Sequence, residues 1–133
     1  MNVMALTATA HSTPESLRQD VVVDGRFHLV TDEPERLGGD DSAPSPHELL
    51  PAAIASCVST TLLMYARTKS WQLGHVDVDV AYDPVAPQRR CNVTIHVEAP
   101  LTGAQLERLQ KVAATCPVRR ALEGAVTFTE QIV

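Results

Sequence analysis

Two cysteines carry the chemistry that this chain offers. Cys57 lies in its most apolar stretch, and Cys116 stands directly before Pro117 at the head of the short amphipathic run "ATCPVRRALEG". Proline suits the first position of a helix, so Cys116 becomes the N-cap of the helix that follows. Free backbone N–H groups and the positive end of the dipole then face its sulfur, an environment that favours thiolate. A small buried hydrophobe in front of a turn would carry the same local sequence. Cys57 sits mid-helix and gains little from either helix end; burial by itself raises its pKa and leaves it an inert core residue. To react it needs a nearby cation. An unperturbed thiol, pKa about 8.5, is only a few per cent thiolate at neutral pH, and lowering it by about two pH units takes roughly 2.7 kcal/mol of preferential thiolate stabilisation. A buried arginine held by a carboxylate can supply that. Cys91 opens an exposed hairpin strand without such a context and is read as structural.

Other chemistries find little support. His11, His28, His47, His75 and His96 are scattered, and no C-x-x-C or H-x-x-x-H spacing occurs, so neither a metal nor a cofactor is expected. There is no G-x-G-x-x-G, no Walker loop and no G-x-S-x-G. A net charge of −5 argues against nucleic acid or an anionic membrane as partner, because both reward a basic face. The start, "MNVMALTATAH", lacks the basic region of a targeting signal, and the longest apolar run is interrupted by Pro51, Ser and Thr, so no membrane span is expected. Three widely spaced cysteines do not make a secreted disulfide framework, and a cytoplasmic protein is the expectation.

The elements that must position the thiols follow from periodicity. At 133 residues the chain is read as one domain, 1–133, with a core of Ala, Val, Leu and Ile because aromatics are only 4%. Strands are expected over Ala5–Ala10, Leu17–Val23 and Arg26–Thr31, the last two joined by a tight turn at Asp24-Gly25. An acidic loop, Asp32–Pro46, leads into a helix start in which Ser45 caps, Pro46 takes the first position and Glu48 completes a capping box. The helix runs to near Ser70, should kink at Pro51, and is apolar on most of its circumference, which implies burial on nearly all sides. A second hairpin pairs His75–Tyr82 with Cys91–Ala99 across the turn "DPVAPQRR". A helix capped by Thr102, with Leu106, Leu109, Val112 and Ala113 at helical spacing, precedes the "PVRRALEG" helix, ended by Gly124. A last strand, "AVTFTEQIV", closes the chain. This order describes an α+β domain with helices packed on antiparallel sheet. One sheet covers only one side of so apolar a helix, and a homodimer is the economical cover for the other.

"DEPERLGGDDSAPSPHELLPAAIASCVSTTLLMYARTKSW" followed by "LTGAQLERLQKVAATCPVRRALEG" resembles the OsmC/Ohr family, the osmotically inducible and organic-hydroperoxide-resistance proteins, and most of all its OsmC-like branch. The resemblance covers about residues 20 to 133. It rests on ordered elements: the Gly38-Gly39 loop, the P-x-E-L helix start, a cysteine nine residues beyond that glutamate, and a distant C-P-V. It implies a two-layer α+β fold with antiparallel sheets on a long central helix, an intertwined homodimer, and thiol peroxidase activity on organic hydroperoxides, an antioxidant task in oxidative stress. Cys57 is then the peroxidatic nucleophile and Cys116 the resolving cysteine, the two forming an intramolecular disulfide that an external thiol reduces. Family peroxidases hold the thiolate with an arginine and with a glutamate ten residues before the cysteine. That position is His47 here, with Glu48 beside it, and either is a candidate. Ten helical residues span roughly 15 Å, so neither touches Cys57 of its own helix, and the partner subunit's copy is implied. Arg18 ranks first for the arginine, then Arg36 and Arg26. The alternative is a dimeric small-molecule-binding or redox-sensing protein that keeps the fold without turnover.

Overall fold

Asp24 and Gly25 both adopt the left-handed backbone (φ 54° and 66°), and the Arg26 N–H donates to the Val23 carbonyl at 3.1 Å. The Asp-Gly pair thus makes the tight hairpin turn that its composition predicts. The computed structural model describes residues 5–87 and 89–133; residues 1–4 and Gln88, the latter in the expected turn 83–90, lie outside these. Residues 1–49 and 50–133 form two compact units.

In the first unit the turn joins β2 (Gln19–Val23) to β3 (Phe27–Thr31), and β1 (Ala8–Ser12) pairs with β2 to complete an antiparallel sheet in the order β1-β2-β3. β1 begins at Ala8 rather than Ala5 because Ala8 already faces Val23, the end of its partner strand. The loop after β3 has a 3-10 turn, Glu35–Leu37, and is otherwise irregular, yet it is closely tied. Asp32 is 1% exposed and accepts from the N–H groups of Glu33 (2.8 Å), Ser42 (3.1 Å) and Asp40 (3.3 Å) and from the Ser42 hydroxyl (2.6 Å). The Ser42 hydroxyl above all, then the Glu33 N–H, draw its pKa down to about 2 against the opposing effect of burial. Glycine is required at position 39, where a Cβ would collide with the Glu33 carbonyl.

The helix start is as expected. Ser45 accepts from the Glu48 N–H, Glu48 accepts from the Ser45 N–H, and Pro46 stands between them. A 3-10 turn, Pro46–Glu48, leads into α1 (Leu49–Lys69). Pro51 therefore lies in the first turn of α1, where its missing N–H would have had no helical partner, and not in an interior where it would kink the helix. Ser70, in the left-handed conformation (φ 57°), ends α1, with the Trp71 N–H reaching back to the Ala66 carbonyl at 2.9 Å.

Within one chain a single stripe of α1, Ile54, Val58, Leu62 and Ala66, is buried, and Leu63 (40%) and Met64 (61%) stay exposed on the side for which a second copy was the expected cover. The helical run Pro46–Lys69 has the length and mean hydropathy (1.6) to cross a membrane, and its stripe is packed in the chain's own core. That core takes Leu109, Val112 and Ala113 from α2 (Gly103–Ala113) and the inward residues Val76, Val78 and Val80 of β4 (Val76–Asp83) and Ile95 and Val97 of β5 (Arg90–Val97). β4 alternates cleanly, as its sequence predicts, and pairs antiparallel with β5. Leu106, expected in the apolar face of α2, is 49% exposed. Thr102 caps α2 in a box with Gln105, and Cys116 is the N-cap of α3 (Pro117–Glu123).

The expected last strand is absent: residues 125–133 form no regular element, with Phe128 77% and Ile132 102% exposed. Their alternation is that of a strand, but a strand needs a neighbour, and none of the described strands pairs with this segment.

Candidate functional site

α1 carries Cys57 to the head of α3, where Cys116 is 0% exposed, and the two thiols are hydrogen bonded. Cys116 donates and Cys57 accepts. Burial pushes Cys57 up, but the Cys116 thiol, the Val118 N–H and the Thr61 hydroxyl all donate to its sulfur and together bring it below the ordinary thiol range. Cys116 moves the other way. Burial raises it first, and the hydrogen bond and charge of Cys57 raise it further, against the backbone N–H groups of Arg119 and Val118. When the pair loses its first proton, the charge falls on Cys57 and Cys116 is the donor to it.

The groups that stabilise the charge differ from those expected. Lowering by the head of α3 was one of two readings of Cys116, a small buried hydrophobe being the other; the Arg119 and Val118 N–H groups do lower it, but burial and the neighbouring Cys57 prevail. Cys57 was to gain nothing from a helix end and to need a cation, but it sits before the second residue of α3, whose N–H has no helical acceptor, and three neutral donors act on it. Thr61 and Val118 were missed. Thr61 had a sequence signal, the i,i+4 spacing that places its hydroxyl one turn from Cys57. Val118 had none until the two helices met.

The other candidates occupy the first unit. Arg18 is exposed and donates from Nη1 to Ser42 Oγ at 2.8 Å. Arg26 is paired with Asp24 at 3.0 Å and lies over the Phe27 ring, and Arg36 is exposed in the 3-10 turn before Gly38. Glu48 spends Oε1 on the N-cap, and that bond holds its carboxyl below the usual range; His47 precedes it in the same turn. Cys91 is exposed in β5, as a structural reading allows.

A cavity of about 580 Å³ is lined by Leu50, Ile54 and Val58 of α1, Cys91, Val93 and Ile95 of β5, and Leu122 of α3, with Arg89, Arg90 and Arg119 at its wall and Glu123 there paired to Arg119 at 2.9 Å. Cys57 and Cys116 do not line it, but Cys57 projects within roughly 20° of Leu50 around the helix axis, at 100° per residue. The cavity therefore extends along the flank of the helix from which Cys57 points.

Residues 39–131, the stretch that holds α1, the cysteine pair and α3, match the family model for OsmC-like protein. The chain belongs to the OsmC-like family. Its fold recurs in a Psychrobacter arcticus protein named as a candidate osmotic stress induced and detoxification response protein (24% identity, 91% of this chain and 90% of that one, TM-score 0.75). It recurs in a Legionella pneumophila organic hydroperoxide resistance protein, OsmC (24%, 93% and 93%, 0.67), and in OhrB of Bacillus subtilis, also an organic hydroperoxide resistance protein (18%, 91% and 92%, 0.59). A comparison with curated proteins gives no match. Family and neighbours agree on an α+β architecture of antiparallel sheets with a long helix.

Proposed function

We propose that this OsmC-like protein is a cysteine-based peroxidase that reduces organic hydroperoxides, one domain per chain and a homodimer, in the cytoplasm. The observation that carries the reading is the polarised thiol pair: Cys57 lowered, Cys116 raised, and a hydrogen bond from the second to the first. A buried cysteine pair serving only as packing would have both pKa values raised by burial. Membership of a family whose neighbours are named for organic hydroperoxide resistance supports the substrate class.

The Cys57 thiolate attacks the nearer oxygen of the peroxide. The O–O bond breaks, the alkoxide leaves and takes a proton to become an alcohol, and Cys57 becomes a sulfenic acid. Cys116, the hydrogen-bond donor to that sulfur, displaces hydroxide, which leaves as water with the Cys116 proton, and a Cys57–Cys116 disulfide forms. An external dithiol reduces the disulfide by exchange and is itself oxidised. The apolar cavity along α1 suits the hydrocarbon part of the peroxide. We assign Arg18 as the cation that completes the thiolate site.

The dimer is supported by the exposed side of α1 and by the unpaired alternation Val126, Phe128, Ile132, which a second copy would cover. The test is consumption of cumene hydroperoxide by the reduced protein with dithiothreitol. Wild type should consume it, and Cys57→Ser should not. A wild-type protein that consumes none favours a binding or sensing role and overturns the proposal.

A further inference from the structure

The Ser42 hydroxyl stands between a cation and an anion. It accepts from Arg18 Nη1 at 2.8 Å and donates to Asp32 Oδ2 at 2.6 Å. Asp32 is ionised and only accepts, so the single Ser42 proton must point to it, and the oxygen lone pairs are left for the guanidinium. The direction of both bonds is thereby fixed, and each polarises the other. Asp32 is itself immobilised by the backbone N–H groups of Glu33, Asp40 and Ser42. The base of the Arg18 side chain is held as well. Its backbone N–H donates to Ser16 Oγ at 3.0 Å.

Among the described residues no ion pair joins Arg18 to Asp32. A direct carboxylate contact would fix the guanidinium equally well but would largely cancel its charge. A serine between them fixes it and leaves the charge to act elsewhere. A guanidinium has five N–H donors, and one of Arg18's is committed to Ser42, the others having no partner among the described residues. The result is an arginine that is exposed, anchored and electrostatically available.

We propose that Asp32 and Ser42 are positioning residues for Arg18, a carboxylate–serine relay that sets where the guanidinium sits without quenching its charge. This rests on the assignment of Arg18 to the thiolate site made above. Neither residue touches the peroxide or the sulfurs; they act through Arg18.

The test is a double-mutant cycle on the full chain, read as kcat/KM for cumene hydroperoxide with dithiothreitol as reductant. Arg18→Ala should lower kcat/KM. Ser42→Ala should lower it by about tenfold, the worth of one charge-assisted hydrogen bond. Ser42→Thr, which keeps the hydroxyl, should restore it. The double variant Arg18→Ala/Ser42→Ala should be no worse than Arg18→Ala alone, because the serine acts only through the arginine. Asp32→Asn should fall in the same direction as Ser42→Ala, and the serine pair decides the matter if loss of the carboxylate unfolds the loop. An impaired Arg18→Ala beside a wild-type Ser42→Ala overturns the relay and leaves the Arg18 assignment standing. A wild-type Arg18→Ala overturns both. Losses that simply multiply in the double variant assign Ser42 to loop integrity and also overturn the relay.

Discussion

The middle of α1 and the head of α3 each present one cysteine to the same point, and the two sulfurs are treated in opposite ways. Cys57, in the unpromising position, collects hydrogen bonds from the Cys116 thiol, the Val118 N–H and the Thr61 hydroxyl; Cys116, at the helix N-cap, is wholly buried and gives up its proton's hydrogen bond. The polarity of a thiol pair is thus set by which sulfur receives donors. Position along a helix axis settles little when a second helix end can be brought up against it.

The largest effect should come from removing the accepting sulfur. Cys57→Ser should slow peroxide consumption by on the order of a thousandfold or more, since no nucleophile remains. Substitutions at Cys116 then separate its two duties. Cys116→Ser keeps a donor to Cys57 but cannot resolve it, so the first equivalent of peroxide should react at nearly the wild-type rate and leave a sulfenic acid that dimedone traps on Cys57. Cys116→Ala keeps neither duty, and stopped-flow measurement of the first equivalent should show a rate about tenfold lower near neutral pH. Equal first-turnover rates in the two variants would mean that the Cys116 donor does not matter. The smallest change is Thr61→Val, which keeps shape and removes one hydroxyl. Alkylation of Cys57 by iodoacetamide near neutral pH should slow by about fivefold.

The local elements were legible because their causes are local. Asp24-Gly25 turns the hairpin, Ser45-Pro46 with Glu48 starts the helix, Thr102 starts the next, and the alternation of β4 survives intact. What depended on distant partners was not legible. The burial expected all round α1 and the strand expected over residues 125–133 both require surfaces that one chain does not supply to them. The family pattern pointed to Cys57 and Cys116, but the donors to Cys57 were not readable, since Val118 becomes its neighbour only when α3 meets α1. The Asp32 cluster was hidden for another reason. Asp32, Glu33, Glu35, Asp40 and Asp41 look alike in sequence, and only the folded loop reveals that one of them is buried and ligated by the backbone.

The most direct test is the pH profile of alkylation measured separately for each cysteine by mass spectrometry after short pulses of iodoacetamide. A thiol with a lowered pKa reacts as its thiolate, so its labelling rises through that pKa and then levels off, while a raised thiol stays protonated until higher pH. The Cys57 curve should therefore have its midpoint below that of a model thiol, and the Cys116 curve should have its midpoint above it. Coincident curves, or a Cys116 that labels first, would contradict the assignment of Cys57 as the thiolate of the pair.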